Sequence, residues 1–128
     1  MAVQAMQTNA VIWFEIPVKD LDRAKSFYEH ILGVQLALNE MGPMQMAWFP
    51  MVPNAPGIVG SLVKAEGYKP STSGTLVYLA VESIEATLAR VQEKAGKVLL
   101  PKTSIGQYGV IAHFRDSEGN RVGLHAMA

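Results

Sequence analysis

The chain has no cysteine among its 128 residues. A disulfide framework, a thiol nucleophile, a Cys-ligated zinc and an iron–sulfur cluster are therefore excluded. Neither charge is in excess: 11 basic and 11 acidic side chains give a formal net charge of zero. Without a basic surplus to neutralise phosphates, no nucleic-acid partner is expected. No apolar run approaches the roughly 18 residues of a membrane span, so no membrane partner is expected either. The opening MAVQAMQTNA lacks a positive segment followed by an apolar stretch, so a signal peptide is not expected and a cytoplasmic location is. No serine sits in a nucleophile elbow, and no glycine-rich phosphate loop is present. What the chain does have is 49% apolar and 17% charged residues, the composition of a globular domain. Its length suits one domain spanning 1–128, or two very small units sharing a core.

The chain also contains itself. Shifted by 63 positions, Val18 falls on Val81, Leu21 on Ile84, Asp22 on Glu85, Gly33 on Gly96, and Val59-Gly60 on Val122-Gly123. Each copy reads alike. A β-rich run at 11–18 (VIWFEIPV) has Pro17 near its end, which marks an edge or a terminus. Asp20 offers an N-cap. Leu21, Ala24, Phe27, Tyr28, Ile31 and Leu32 follow at helical spacing, and Gly33 supplies the stop. The second copy has a strand at 75–81, a Ser83 cap, a helical face of Ile84, Leu88 and Val91, and a Gly96 stop. Three shorter strands follow each helix, near 34–38, 44–51 and 57–63, then near 98–100, 108–115 and 121–126. The segment 101–109 reads as a polar loop, either a lid or a connection. The expectation is an α+β fold of two tandem βαβββ modules, at 10–63 and 75–128, joined by a linker at 64–74. Side by side they would form a cup-shaped mixed sheet with the helices outside. The alternative is a ferredoxin-like domain without duplication.

Two segments, FEIPVKDLDRAKSFYEHILGV and HFRDSEGNRVGLHAM, resemble the vicinal oxygen chelate superfamily. That group contains glyoxalase I, bleomycin-resistance proteins, fosfomycin-resistance transferases and extradiol dioxygenases. Ser117 stands where proline is usual in its closing hairpin. The resemblance implies the glyoxalase/bleomycin-resistance fold and a homodimer. For the metal-dependent members it implies four ligands (His or Gln, Glu, His, Glu), in the first and last strand of each module. Here those positions fall on Trp13, Gly60, Leu76 and Gly123, with Ser61 replacing Gly60 if that alignment slips by one. Such side chains do not ligate a divalent cation through imidazole nitrogen or carboxylate oxygen. The usual metal site is therefore expected to be missing, and no cofactor is expected.

Strand alternation proposes what lines the cup instead. Trp13 and Glu15 share one face of the first strand, with Phe14, Ile16 and Val18 on the other. Leu76, Tyr78 and Ala80 face the cup from the fifth strand, and Arg121, Gly123 and His125 from the last. Ile111 and His113 are placed there by the resemblance, and Met46, Trp48 and Pro50 match them in the first copy. Glu15 and His113 are the candidate catalytic pair: a carboxylate on an apolar strand and an imidazole near neutrality suit acid–base work. Their alternative is structural pairing. Trp13, Trp48 and Tyr78 form either an aromatic wall for a ligand or a plug. His30 is explained by the C-terminal helix dipole.

The function expected first is a metal-free small-molecule-binding protein. The neutral charge disfavours a strongly cationic ligand. An alternative is a lyase, isomerase or dioxygenase using Glu15 and His113, with His125 completing a two-His-one-carboxylate set at a displaced metal. A third is a scaffold whose cup is filled.

Overall fold

The structure is a computed structural model and describes residues 5–128; Met1–Gln4, within the expected domain and leader-free start, lie outside the described residues. The elements run β1 (Phe14–Pro17), α1 (Leu21–Leu32), β2 (Ala37–Met41), β3 (Met44–Trp48), β4 (Gly60–Lys64), β5 (Tyr78–Ala80), α2 (Ile84–Glu93), β6 (Lys97–Ser104), β7 (Val110–Arg115) and β8 (Arg121–Ala126). This is βαβββ twice. No helix among the described residues is long and apolar enough to cross a membrane.

The helix signals act as their chemistry requires. The Asp20 carboxylate accepts from the Arg23 N–H at 3.0 Å, and Ser83 Oγ accepts from the Ala86 N–H at 3.1 Å. Gly33 ends α1 in the left-handed region, φ 67°. The second stop differs from the expectation. Ala95, not Gly96, takes the left-handed conformation, φ 68°. Gly96 serves close approach instead: a Cβ there would stand 2.5 Å from Val91 and 3.0 Å from Phe27.

Several strands shift from their expected bounds. The runs at 11–18 and 75–81 contract to β1 and β5, the stretches that pair with β4 and β8. The strand expected at 98–100 extends to Ser104 and takes in Pro101. Register shifts after Val98 and Leu100 accommodate it, since proline cannot donate to a ladder. The first four residues of the expected loop at 101–109 are thus strand, and a 3₁₀ turn at Gly106–Tyr108 occupies most of the rest.

The strands form two four-stranded mixed sheets, ordered β1-β4-β3-β2 and β5-β8-β7-β6. β1 lies parallel to β4 and β5 parallel to β8; the other pairs are antiparallel. One apolar cluster joins the modules. It holds Ile16, Phe27 and Leu62 from the first with Ile84, Phe114 and Leu124 from the second. The Phe27 and Phe114 rings lie 6.0 Å apart. Burying a side chain of this size contributes about 1.5–3 kcal/mol, against about 0–1 for a surface ion pair. Both helices lie on this core side, so each sheet keeps an opposite, outward face. These outward faces are the cup faces.

A polar joint reinforces the core. Asp116 is buried and accepts from Tyr28 Oη at 2.7 Å and from the N–H groups of Glu118 and Asn120 at 2.9 Å. Asn120 Nδ2 donates to the Pro17 carbonyl at 2.8 Å. Glu118 accepts from the N–H groups of Lys19 and Asp20, both at 2.9 Å, and from Arg23 Nε at 2.7 Å. The turn between β7 and β8 therefore caps the N-terminus of α1, placing a negative charge where the helix dipole favours one.

Candidate functional site

Pairing register decides which side chains share a face. In the first sheet Glu15 pairs with Ser61 and Ser61 with Trp48, while Ile16, Leu62 and Ala47 form the adjoining core row. Glu15, Met46, Trp48, Ser61 and Val63 are therefore on the outward face, and Trp13 continues it. Gly60 is not. It pairs with Phe14, and a Cβ there would stand 2.5 Å from that core-facing ring. The expected cup position belongs to Ser61. Ser61 corresponds to Gly123 and Leu62 to Leu124, so the last strands of the repeat are offset by 62 positions rather than 63.

In the second sheet Tyr78 pairs with Gly123 and Gly123 with His113. The outward face carries Tyr78, Ile111, His113, Arg121, Gly123 and His125. Leu76 precedes β5 and is half-buried. The Tyr78 ring lies over Gly123, where a Cβ would meet it at 2.5 Å. Tyr78 Oη is 2.7 Å from His113 Nε2, and Arg121 Nη1 is 3.0 Å from His113 Nδ1. A guanidinium only donates, so Nδ1 is the bare acceptor and the neutral ring carries its proton on Nε2. Burial and then the Arg121 charge hold the His113 pKa below its usual value, which keeps the ring neutral at neutral pH.

The aromatic pair of the first sheet is in contact. Trp13 and Trp48 meet edge to face with centroids 5.3 Å apart. Trp48 Nε1 and Ser61 Oγ, cross-strand neighbours, are buried without hydrogen-bond partners. Such orphaned polar atoms are uncommon in folded proteins and mark this spot as unfinished.

The two-His-one-carboxylate set is not assembled. Glu15 is exposed and accepts from Tyr68 Oη at 2.9 Å. His113 is held by Tyr78 and Arg121. His125 donates from Nε2 to the Tyr108 carbonyl at 2.6 Å, steadying the 3₁₀ turn. Among the described residues, no three His, Cys, Asp or Glu side chains group as a metal site. The family's four ligand positions do not fit a metal here. Ser61 offers a hydroxyl, Trp13 and Leu76 offer no anionic donor, and the space above Gly123 is filled by Tyr78.

The outward faces are shallow. Glu15 and Arg121 line a crevice of about 230 Å³ together with Lys69, Ser71 and Val77. Three hollows about twice that size, of about 470, 490 and 460 Å³, lie elsewhere: one beside both helices, one around the exposed Val11, Ile12 and Met51, and one beside Lys64 and Tyr68. Sequence reasoning put Gly60 first and Ser61 second for the outward position, and missed Tyr68 as the partner of Glu15. Ser61 was signalled by the one-residue alternative in the alignment. Tyr68 carried no signal, since 53 residues separate the pair.

A family model described as glyoxalase/bleomycin resistance protein/dioxygenase superfamily matches residues 10–124. CFP32, a Mycobacterium bovis protein that carries a glyoxylase name, is 27% identical over 125 residues, covering 88% of this chain. The chain spans 43% of the length of that relative. Among solved structures, the antibiotic binding protein TnmS3 from Streptomyces sp. CB03234 superposes with a TM-score of 0.66 and 28% identity, covering 97% of this chain and 100% of that one. A glyoxylase/bleomycin resistance protein/dioxygenase domain from Frankia sp. EAN1pec superposes with a TM-score of 0.72 and 17% identity, covering 95% and 100%.

Proposed function

The chain belongs to the glyoxalase/bleomycin resistance protein/dioxygenase superfamily, and we propose that within it this protein binds an organic small molecule on its cup faces without a divalent metal. The observation that carries this reading is the occupancy of the ligand positions. Trp13, Ser61, Leu76 and Gly123 stand there, and the Tyr78 ring fills the space a fourth ligand would need. Trp13 and Trp48, both half-buried and packed edge to face, offer an aromatic surface suited to a flat ligand. The similarity to TnmS3, an antibiotic binding protein, supports binding. Glu15 and His113 have separate partners, which supports binding over catalysis by that pair.

On this reading the protein works in the cytoplasm as a homodimer. A second copy covers the open faces and the single-sided edges β1 and β5. Light scattering on the eluting protein checks this and should give twice the chain mass.

The two tryptophans make the binding test simple, because the indole region of a ¹⁵N correlation spectrum contains one peak from each. A library of flat aromatic molecules should yield ligands that shift both indole peaks and raise the melting temperature equally with and without a chelator. Ligands that bind only after metal is added, or that perturb neither the indoles of the first sheet nor Tyr78 of the second, would contradict the proposal.

A further inference from the structure

The zero net charge conceals a row of cations on one face. Lys97 pairs with Arg115 across β6 and β7, and Arg115 pairs with Arg121 across β7 and β8. The three stand side by side on the outward face of the second sheet. Directly opposed like charges destabilise a ladder. None of the three belongs to an ion pair among the described residues. Glu15, the carboxylate lining the crevice with Arg121, is engaged by Tyr68.

The neighbouring hydrogen bonds point the same way. Arg121 donates to His113 Nδ1, so His113 must donate from Nε2 to the Tyr78 oxygen. That bond occupies Tyr78 as an acceptor and leaves its O–H proton to donate elsewhere. Tyr78 is 44% exposed, so this donor is available on the surface. The guanidinium of Arg121 retains further N–H groups. The polar groups left over in the Tyr78–His113–Arg121 cluster are donors, and the row beside them is positive. A site built this way accepts an anionic oxygen and rejects a cation or a second donor. Apolar surface for the rest of a ligand adjoins it at Ile111 and the Tyr78 ring.

We propose that the outward face of the second sheet selects an aromatic carboxylate, with the carboxylate on Arg121 and the Tyr78 hydroxyl and the ring against Tyr78 and Ile111. This rests on the small-molecule-binding reading and adds the chemical class of the ligand. The remaining like charges of Lys97 and Arg115 draw the anion in, and salt weakens that attraction.

Isothermal titration with 2-naphthoate and with 2-naphthalenemethanol, its neutral counterpart, tests this. At about 50 mM salt the carboxylate should bind roughly tenfold more tightly, and the gap should narrow at about 500 mM. Arg121→Gln should weaken naphthoate about tenfold or more, a charge-assisted bond being lost. Arg121→Lys should retain most of the preference, and Tyr78→Phe should cost about fivefold. The alcohol, which accepts only neutral hydrogen bonds, should lose less affinity than naphthoate on each of the three changes, and melting temperatures should show that the variants fold. Equal binding of the two probes, or naphthoate binding indifferent to Arg121→Gln and Tyr78→Phe, overturns the carboxylate assignment while leaving small-molecule binding standing. Failure of naphthoate to bind also overturns it, and the library screen then judges the broader reading separately.

Discussion

Glu118→Gln is expected to lower the stability of the fold by about 3 kcal/mol, and the melting temperature by about 10 °C. The Glu118 side chain is fully buried. Burial alone would push its carboxyl up. The Arg23 guanidinium, the Asp20 and Lys19 N–H groups and the Ser117 hydroxyl outweigh burial and hold the pKa down at about 2, from an ordinary 4.5. That depression corresponds to about 3 kcal/mol favouring the charged folded form. Glutamine keeps one acceptor oxygen and leaves Arg23 free to turn into solvent, so part of the joint survives. The sign of the pH effect follows. A group with a depressed folded pKa contributes stability that is complete above 4.5 and is lost as pH falls towards 2. Urea unfolding should therefore separate wild type from variant by about 3 kcal/mol at pH 7, and by less at each step below about pH 4.5. A variant within about 0.5 kcal/mol of wild type at pH 7 would mean that the joint contributes little.

Gly60→Ala should be at least as damaging, while the same change at Gly123 should not. A Cβ on Gly60 collides with the Phe14 carbonyl and stands 2.5 Å from its ring. The carbonyl belongs to the neighbouring strand, so β1 must separate from β4 to make room. A loss of about 3 kcal/mol is expected. At Gly123 the obstacle is the Tyr78 ring, also at 2.5 Å. That side chain is 44% exposed and can swing out at the cost of its bond to His113, about 1 kcal/mol. Gly123→Ala should thus spare the fold and weaken ligand binding. Urea unfolding of both variants checks the contrast; equal, small losses would show that Gly60 does not approach Phe14 closely.

Much of this fold was legible because its signals are local. The Asp20 and Ser83 caps, the Gly33 stop and the apolar faces of both helices lie within a few turns of sequence. The repeat was visible for the same reason. The face of β4 was not. The segment between β3 and β4 runs over 49–59, whereas that between β7 and β8 is only 116–120. Sequence overlap cannot count residues through unequal loops, and an error of one exchanges the two faces of a strand. That error put Gly60 where Ser61 stands. The closing hairpin at 116–120 is local, but its Glu118 bonds to backbone 98 and 99 residues away, and nothing local announces that. The cation row is a matter of cross-strand register, so a net charge of zero could not reveal it. Conversely, Glu15, His113 and His125 looked like a set only while their partners were unknown. Tyr68, Arg121 and Tyr108 hold them apart.

On the reading proposed above, this member of the superfamily holds its ligand without the metal of its metal-dependent relatives. Metal content tests it most directly. The purified protein is incubated in turn with Zn²⁺, Ni²⁺, Mn²⁺ and Fe²⁺, desalted, and measured by inductively coupled plasma mass spectrometry. Far less than one metal ion per chain is expected in every case, with aromatic ligands still bound. One ion per chain, retained through desalting and lost on Glu15→Gln or His113→Ala, would contradict it.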